Sequence, residues 1–204
     1  MRVERGSLQD ARDIAQLYTV AFPESVALFF ENKSPEKRLD LFELTFSLVF
    51  HWGIEALLIK DKAGLTRGYC LYSTGQSSRT KAYGKALKVL GKMALRINLS
   101  ELAKLLQNSA LMTISRRRVR VGATPKVAAR IVSIAIDPAC QGKGLGTFLL
   151  AQVLEKLEDQ RLALNVRTNN LSARRLYQGA GFQEVGTTKD LQGEWIIMER
   201  PPKK

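Results

Sequence analysis

Apolar positions along this chain recur at two different spacings, and the spacing changes nearly every dozen residues. "MRVERG" alternates as a short strand. After it, Leu8, Ala11, Ile14, Ala15, Leu17 and Tyr18 repeat at helical spacing behind Ser7, a residue type that caps helices, and predict a helix to about Ala21. Residues 36–50 follow Ser34-Pro35 with a broad apolar helical face, and proline suits a first helical turn. "IEALLIK" (54–60), "RGYCLYSTG" (67–75), "AARIVSIAI" (128–136), "RLALNV" (161–166), "FQEVGTT" (182–188) and "EWIIMER" (194–200) read as strands. Helical spacing returns at 145–159 and 170–180, and "KAGL" and "LQGE" read as turns between neighbouring strands. The resulting order is β-α-α-β-β-(insert)-β-α-β-α-β-β. It predicts a mixed α/β sheet whose strand–helix–strand crossovers gather in the C-terminal half.

The insert, residues 76–128, has a pattern of its own. Lys81, Lys85, Lys88, Lys92 and Arg96 share one helical face over Lys81–Ile97, while Tyr83, Ala86, Leu87, Leu90, Met93, Ala94 and Ile97 mostly occupy the other. Asn98-Leu-Ser-Glu101 has the form of a capping box opening a second apolar helix to about Leu111. "RRRVR" (116–120) then leads back to the sheet. Charge sharpens this picture. Of the chain's net +13, +11 falls in 76–128, which holds twelve Lys/Arg and the single acid Glu101. Such a hairpin suits an anionic membrane surface or an anionic, phosphorylated substrate; its apolar side could equally pack on the domain or on a dimer mate. Single-stranded nucleic acid is not expected, since Tyr83 is the only aromatic residue there for bases to stack on.

At 204 residues the expectation is a single domain, 1–204, with 76–128 inserted in it. No uncharged stretch approaches the roughly 20 residues of a membrane-spanning helix, and "MRVERGSLQD" lacks the apolar core of a signal peptide. Two cysteines, Cys70 and Cys140, and one histidine, His51, supply neither a disulfide framework nor a metal-ligand set. These features predict a cytoplasmic protein without a metal, peripheral to the inner membrane surface if the hairpin docks there. Both thiols are expected to be buried or idle; Cys140 borders a glycine run, where access is open to it, but nothing nearby marks it as a nucleophile.

That run, "QGKGLG" (141–146), stands between a strand ending in Asp137-Pro138 and a helix. A helix N-terminus presents unpaired N–H groups and partial positive charge, and glycines let a backbone close on a phosphate. Lys143 adds a full charge. The pattern is not a P-loop, since no GKS/GKT ending follows a four-residue spacer. Nor is it a dinucleotide fingerprint, which should follow the first strand of its unit.

Two segments in this order name a family. Ile134-Ala135-Ile136-Asp137-Pro138 with Gln141, Gly144 and Gly146, and then Asn170, Ala173, Leu176, Tyr177, Gly181 and Phe182, resemble the GNAT superfamily of acetyl-CoA-dependent N-acetyltransferases. The resemblance covers roughly 128–200. It implies the GNAT fold, a mostly antiparallel sheet in which two splayed strands hold the cofactor. It further implies acetyl-CoA as cosubstrate and a primary amine as acceptor. Ile134, Ala135 and Ile136 would border the pantetheine through their backbone. Gln141, Gly142, Lys143, Gly144, Leu145, Gly146 and Thr147 would wrap the pyrophosphate, and Asn170 would touch the cofactor from the next helix. Tyr177 stands where the family places the proton donor. Some relatives carry a base in "LEVR"; here "LNVR" puts Asn165 in that place, which counts against a protein N-terminus as acceptor. Glu24, His51, Glu55 or a water chain remain as bases. With "AFPES" upstream, the long insert resembles members associated with surface-polysaccharide synthesis, implying an amino sugar on an anionic carrier. A catalytically idle acyl-CoA-binding module is the alternative from another class.

Overall fold

The structure is a computed structural model, and it describes residues 1–74, 83–118 and 127–203, with only the backbone of Tyr83, Arg117 and Arg118. Capping chemistry places the first helices. Ser7 and Asp10 form a capping box over a short 3₁₀ turn, from which α1 (Ala11–Ala21) continues and buries Ala11, Ile14, Ala15 and Leu17. The Ser34 side chain accepts from the Lys37 amide to start α3 (Pro35–His51). Between them lies α2 (Pro23–Phe30), a helix absent from the periodicity reading. Its legible signal was Pro23 in the first turn.

Strands β1 (Arg2–Gly6), β2 (Glu55–Lys60) and β3 (Thr66–Ser73) pair antiparallel in sequence order. The inserted helices α4 (Tyr83–Ala94) and α5 (Leu99–Ile114) and the two-residue β4 (Arg117–Arg118) follow. The C-terminal half comprises β5 (Ala129–Ile136), α6 (Leu145–Lys156), β6 (Leu162–Arg167), α7 (Leu171–Gly179), β7 (Gln183–Asp190) and β8 (Gly193–Arg200). The sheet order is β1-β2-β3-β5-β6-β8-β7-β4. Every pairing is antiparallel except β5 with β6, which the α6 crossover makes parallel. The expected mixed, mostly antiparallel sheet is therefore present.

Strand alternation sends side chains to two cores. Leu57, Ile59, Cys70, Ile131, Leu162 and Leu164 meet α6 and α7 through Leu149, Leu150, Val153 and Tyr177. Ala56, Leu58, Tyr69, Leu71 and Ala135 meet α1–α3 on the opposite face. There Tyr18 packs against Phe22, Phe42 and Phe46, with ring centroids 4.8–5.5 Å apart. Each face contributes hydrophobic burial at about 25 cal/mol per Å² of apolar surface removed from water.

The insertion docks on the α1–α3 face, through Ala86, Ile97 and Leu105 and through polar contacts of α5. Asn98 and Glu101 form the capping box read from the sequence, and Glu101 is buried in an ion pair with Lys33 at 3.0 Å. Farther along α5, Lys104 donates to the Leu28 carbonyl, Asn108 Oδ1 accepts from the Leu191 amide, and the Met112 carbonyl accepts from Thr188 Oγ1. The helix thus ties α2 to β7. The observed bounds correct the sequence reading. The first inserted helix is Tyr83–Ala94 rather than Lys81–Ile97, and Lys81 lies outside the described residues together with 75–82. The second helix runs one turn beyond Leu111. Of the apolar side expected to pack inward, Ala86, Met93 and Ile97 do so, whereas Leu87, Leu90 and Ala94 face out, because only a narrow stripe reaches α3.

Removing one partner of a largely buried ion pair costs about 3–5 kcal/mol, and Lys33 here keeps some access to water. Glu101→Ala should therefore destabilise the protein by about 2–3 kcal/mol in urea unfolding, because it also removes the half of the capping box in which Glu101 accepts from the Asn98 amide. Glu101→Gln, which can still accept from the Asn98 amide, should cost less.

Candidate active site

Strand β5 pairs with β3 along its length but with β6 only through Ala129↔Leu162 and Arg130↔Ala163. The two strands run parallel from this closed end and part toward their C-termini, Ile136 and Arg167. A register shift against Leu71 and Tyr72 leaves Val132 as an extra residue in β5, and Val132 is half exposed. Such a bulge bends the strand that carries it. Past the bulge, Ile134 and Ile136 pack toward α6 and α7, and Ala135 is buried toward α1–α3. The edge of β5 that faces β6 is thus open over the residues expected to border pantetheine.

The turn after β5 is pinned from below. Asp137 Oδ1 accepts from the Ala139 amide and Oδ2 from Arg67 Nη1 at 2.7 Å, while Arg67 Nε bonds Asp61. The Arg67 guanidinium, then the Ala139 amide, hold the Asp137 carboxyl below its usual range. Gln141 Nε2 donates to the Ile136 carbonyl at 3.2 Å, and Lys143 Nζ to the Ala139 carbonyl at 3.4 Å. Gly142 and Gly144 both have φ +74°, a left-handed conformation that favours glycine, and a Cβ at either would point into open space. Gly144 is the N-cap of α6 and provides no side-chain cap, so the first amides of Leu145, Gly146 and Thr147 face an anion's place. A Cβ on Gly146 would sit 3.7 Å from Leu176 and 3.8 Å from Ile136, which brings the start of α6 close to both the strand and α7. Open space, left-handed glycines and an uncapped helix end together fit a pyrophosphate.

The remaining predicted residues divide. Tyr177 is buried among the α6/α7 core residues, with its ring edge-on to Phe182 at 5.9 Å. Burial first, and the neighbouring Cys70 second, push its hydroxyl well above the usual tyrosine range. Asn170 has a local role: its Oδ1 caps α7 by accepting from the Ala173 amide at 3.0 Å. Asn165 accepts from Arg130 Nη2 at 3.4 Å on the α1–α3 face. Cys140 is buried, as Cys70 is, in line with the reading of both thiols as buried or idle; the short 3₁₀ turn Pro138–Cys140 removes the access that its place beside the glycine run offered. Among the base candidates, Glu24 is exposed at the start of α2 and His51 closes α3. Glu55 is ion-paired with Arg5 at 3.1 Å and accepts from Tyr72, whose hydroxyl is pushed up to about 12 by burial first and by that carboxylate second. None of the three stands on β5 or β6.

A polar cluster that the sequence reading did not single out lies at the open end of β6. Arg167 makes a two-pronged ion pair with Asp190 at 2.7 and 2.8 Å, bonds Gln192 Oε1 at 2.6 Å, and stacks 3.8 Å over the Trp195 ring. Ser25 of α2 donates to the same Gln192 oxygen. Arg167 directly precedes the second motif, but its partners come from 23 to 28 positions later and only the β7–β8 hairpin delivers them. Two surface recesses, of about 440 and 220 Å³, lie elsewhere, beside Met1–Arg2 and between α1 and Arg67. Neither reaches the splay. Among the described residues there is no cluster of three or more His, Cys, Asp or Glu able to hold a metal ion.

Residues 113–182 match the acetyltransferase (GNAT) family. The chain is 42% identical over 67 residues to the N-alpha-acetyltransferase RimI of Mycobacterium tuberculosis, covering 33% of this chain and 42% of that one. It is 37% identical over 82 residues to the [ribosomal protein bS18]-alanine N-acetyltransferase of Escherichia coli K12, covering 36% and 55%. A spermine/spermidine N(1)-acetyltransferase of Bacillus subtilis matches at 38% over 68 residues, covering 31% and 44%. The chain thus spans about half the length of the curated relatives it matches. In fold, an N-acetyltransferase from Staphylococcus aureus Mu50 superposes with TM-score 0.64 at 19% identity, over 98% of this chain and 100% of that one. Residues 113–182 thus carry the sequence of the acetyltransferase (GNAT) family, and the fold is similar to that of solved acetyltransferases.

Gly144→Asp would place a carboxylate at the mouth of the turn and strain a left-handed position. Calorimetry should show acetyl-CoA affinity reduced at least about 100-fold, with the thermal unfolding midpoint shifted by only a few degrees.

Proposed function

We propose that the protein transfers the acetyl group of acetyl-CoA to a primary amine. The observation that carries this reading is the parting of β5 from β6 directly above an uncapped, glycine-shaped helix N-terminus. The cosubstrate would supply the activated acetyl thioester; the protein's part is to bind, orient and protonate. Backbone groups of Ile134, Ala135 and Ile136 would meet the pantetheine amides along the open edge of β5. Amides from Gln141, Gly142, Lys143, Gly144, Leu145, Gly146 and Thr147 would hold the pyrophosphate, with the α6 dipole and the Lys143 charge in support. Asn170 would contribute by fixing the start of α7, and with it the position of Tyr177.

Tyr177 is our candidate for the general acid that protonates the departing thiolate. Burial keeps its proton on at all ordinary pH values, so no alkaline loss of rate should come from this group below about pH 10, the usual tyrosine value. An oxyanion on the carbonyl would be met by a β5 amide, that of Ile136 being the candidate. The amine must arrive uncharged or lose a proton to solvent, because Asn165 offers no basic site.

For the acceptor we favour a small amine, with an amino sugar on an anionic carrier suggested by the basic insertion. The second reading is a protein or peptide amine, and the RimI-type relatives favour it. Asn165 counts against it. The two buried, unbridged cysteines accord with a reducing compartment, and we place the protein in the cytoplasm.

Release of CoA with a panel of amino sugars, polyamines and peptides is the deciding measurement. Tyr177→Phe should retain acetyl-CoA affinity and lose about 100-fold in kcat. Binding without turnover on every amine would support an idle acyl-CoA-binding module instead.

A further inference from the structure

Helix α5 is turned inside out. Toward the domain it presents Glu101, Leu105, Asn108 and Met112; the Glu101 and Asn108 side chains and the Met112 main-chain carbonyl make polar docking contacts, and Leu105 packs against the core. Toward solvent it presents Leu99, Leu102, Leu106 and Ile114, exposed by 85, 44, 61 and 83%. At 1.5 Å per residue this apolar ridge is about 22 Å long. Leu95 in the connection and Leu87 on α4 are likewise exposed, at 88 and 70%. A helix that spends polar groups inward and leucines outward has a second apolar phase to meet.

Charge identifies that phase. The described part of the insertion, 83–118, carries eight Lys/Arg and one acid, and that acid, Glu101, is buried in its own ion pair. Lys85, Lys88, Lys92 and Arg96 are all exposed and share one face along and just past α4, turned about 100–180° from Leu87, so they leave the leucine positions uninterrupted. A second copy of this chain would bring two such positive surfaces together. A nucleic acid would have no use for the leucines. Side chains exposed by more than four-fifths project from the surface rather than line a groove, which suits a fluid phase that closes around them better than a folded partner.

We propose that the outward face of the α4–α5 hairpin docks on an anionic lipid surface, leucines in the interfacial layer and lysines at the phosphate headgroups. The α4–α5 helices would lie in the plane of that surface, since among the described residues no helix is long and apolar enough to cross a membrane. Docking here leaves the α6 glycine turn to its own ligand, so the inference does not rest on acetyl transfer.

Co-sedimentation with phosphatidylcholine vesicles, plain or with about one third phosphatidylglycerol, tests it. The wild-type chain should pellet with the anionic vesicles and not the plain ones. The variant Leu99→Ser/Leu106→Ser/Ile114→Ser should bind at least about tenfold more weakly, with an unchanged thermal midpoint showing that it folds. Lys85→Gln/Lys88→Gln/Lys92→Gln should lose binding as well, and wild-type binding should weaken in high salt. Three results would overturn the proposal. One is no vesicle binding by the wild type. Another is binding that the serine variant leaves intact, which would mean charge alone is sensed. The third is a wild-type dimer in sedimentation, abolished by the same variant, without vesicle binding.

Discussion

Two residue pairs hold β5 to β6, and everything proposed for the site depends on there being no more. A parallel pair continued to Ile136 and Arg167 would satisfy its own amides and carbonyls and leave no edge for a ligand. The extra residue Val132 turns β5 outward, while β3 on one side and β8 on the other keep both strands in the sheet. Unpaired backbone within a domain is costly unless something meets it. The gap is therefore a weakness in the sheet, and in the proposed function it is also the binding device.

Around that gap the two faces do different work. The α6/α7 face is apolar and buries Tyr177, which fixes the protonation state of its hydroxyl by excluding water. The α1–α3 face carries polar residues across the sheet: Tyr69 with Ser133, Arg130 with Asn165, and Arg167 with Asp190, Gln192 and Trp195. Ser25 joins α2 to this row, and α5 spans from Lys33 to β7 on the same side. An amine approaching from the α1–α3 side would meet hydrogen-bonding groups already oriented by one another. Their mutual pairing lowers the cost of organising them when substrate arrives.

The inserted hairpin obeys different rules from the rest of the fold. Elsewhere buried leucines hold helices to the sheet; here an ion pair, a cap and single hydrogen bonds join Leu105 in holding α5, and Leu99, Leu102 and Leu106 remain outside. Polar docking is individually weak, about 1 kcal/mol per neutral hydrogen bond. Its advantage is that the apolar face stays free for something other than the domain.

Much of this was legible in the sequence. Alternation and helical spacing predicted each long strand and helix except α2, because local period depends only on which face of each element is covered. The glycine turn was legible because φ +74° at Gly142 and Gly144 favours one residue type, and the capping boxes because their chemistry spans four residues. The cluster around Arg167 was not legible, since its partners are brought in by the β7–β8 hairpin rather than by any local spacing. The burial of Cys140 beside the glycine run rests on a 3₁₀ turn of three residues, which no periodicity shows. The sequence also assigned Leu87 and Leu90 to a packing face. Amphipathic spacing says that a helix has an apolar side, but which side meets the protein is settled only when tertiary contacts compete, and in α5 a buried ion pair with Lys33 and bonds to β7 took the inward face.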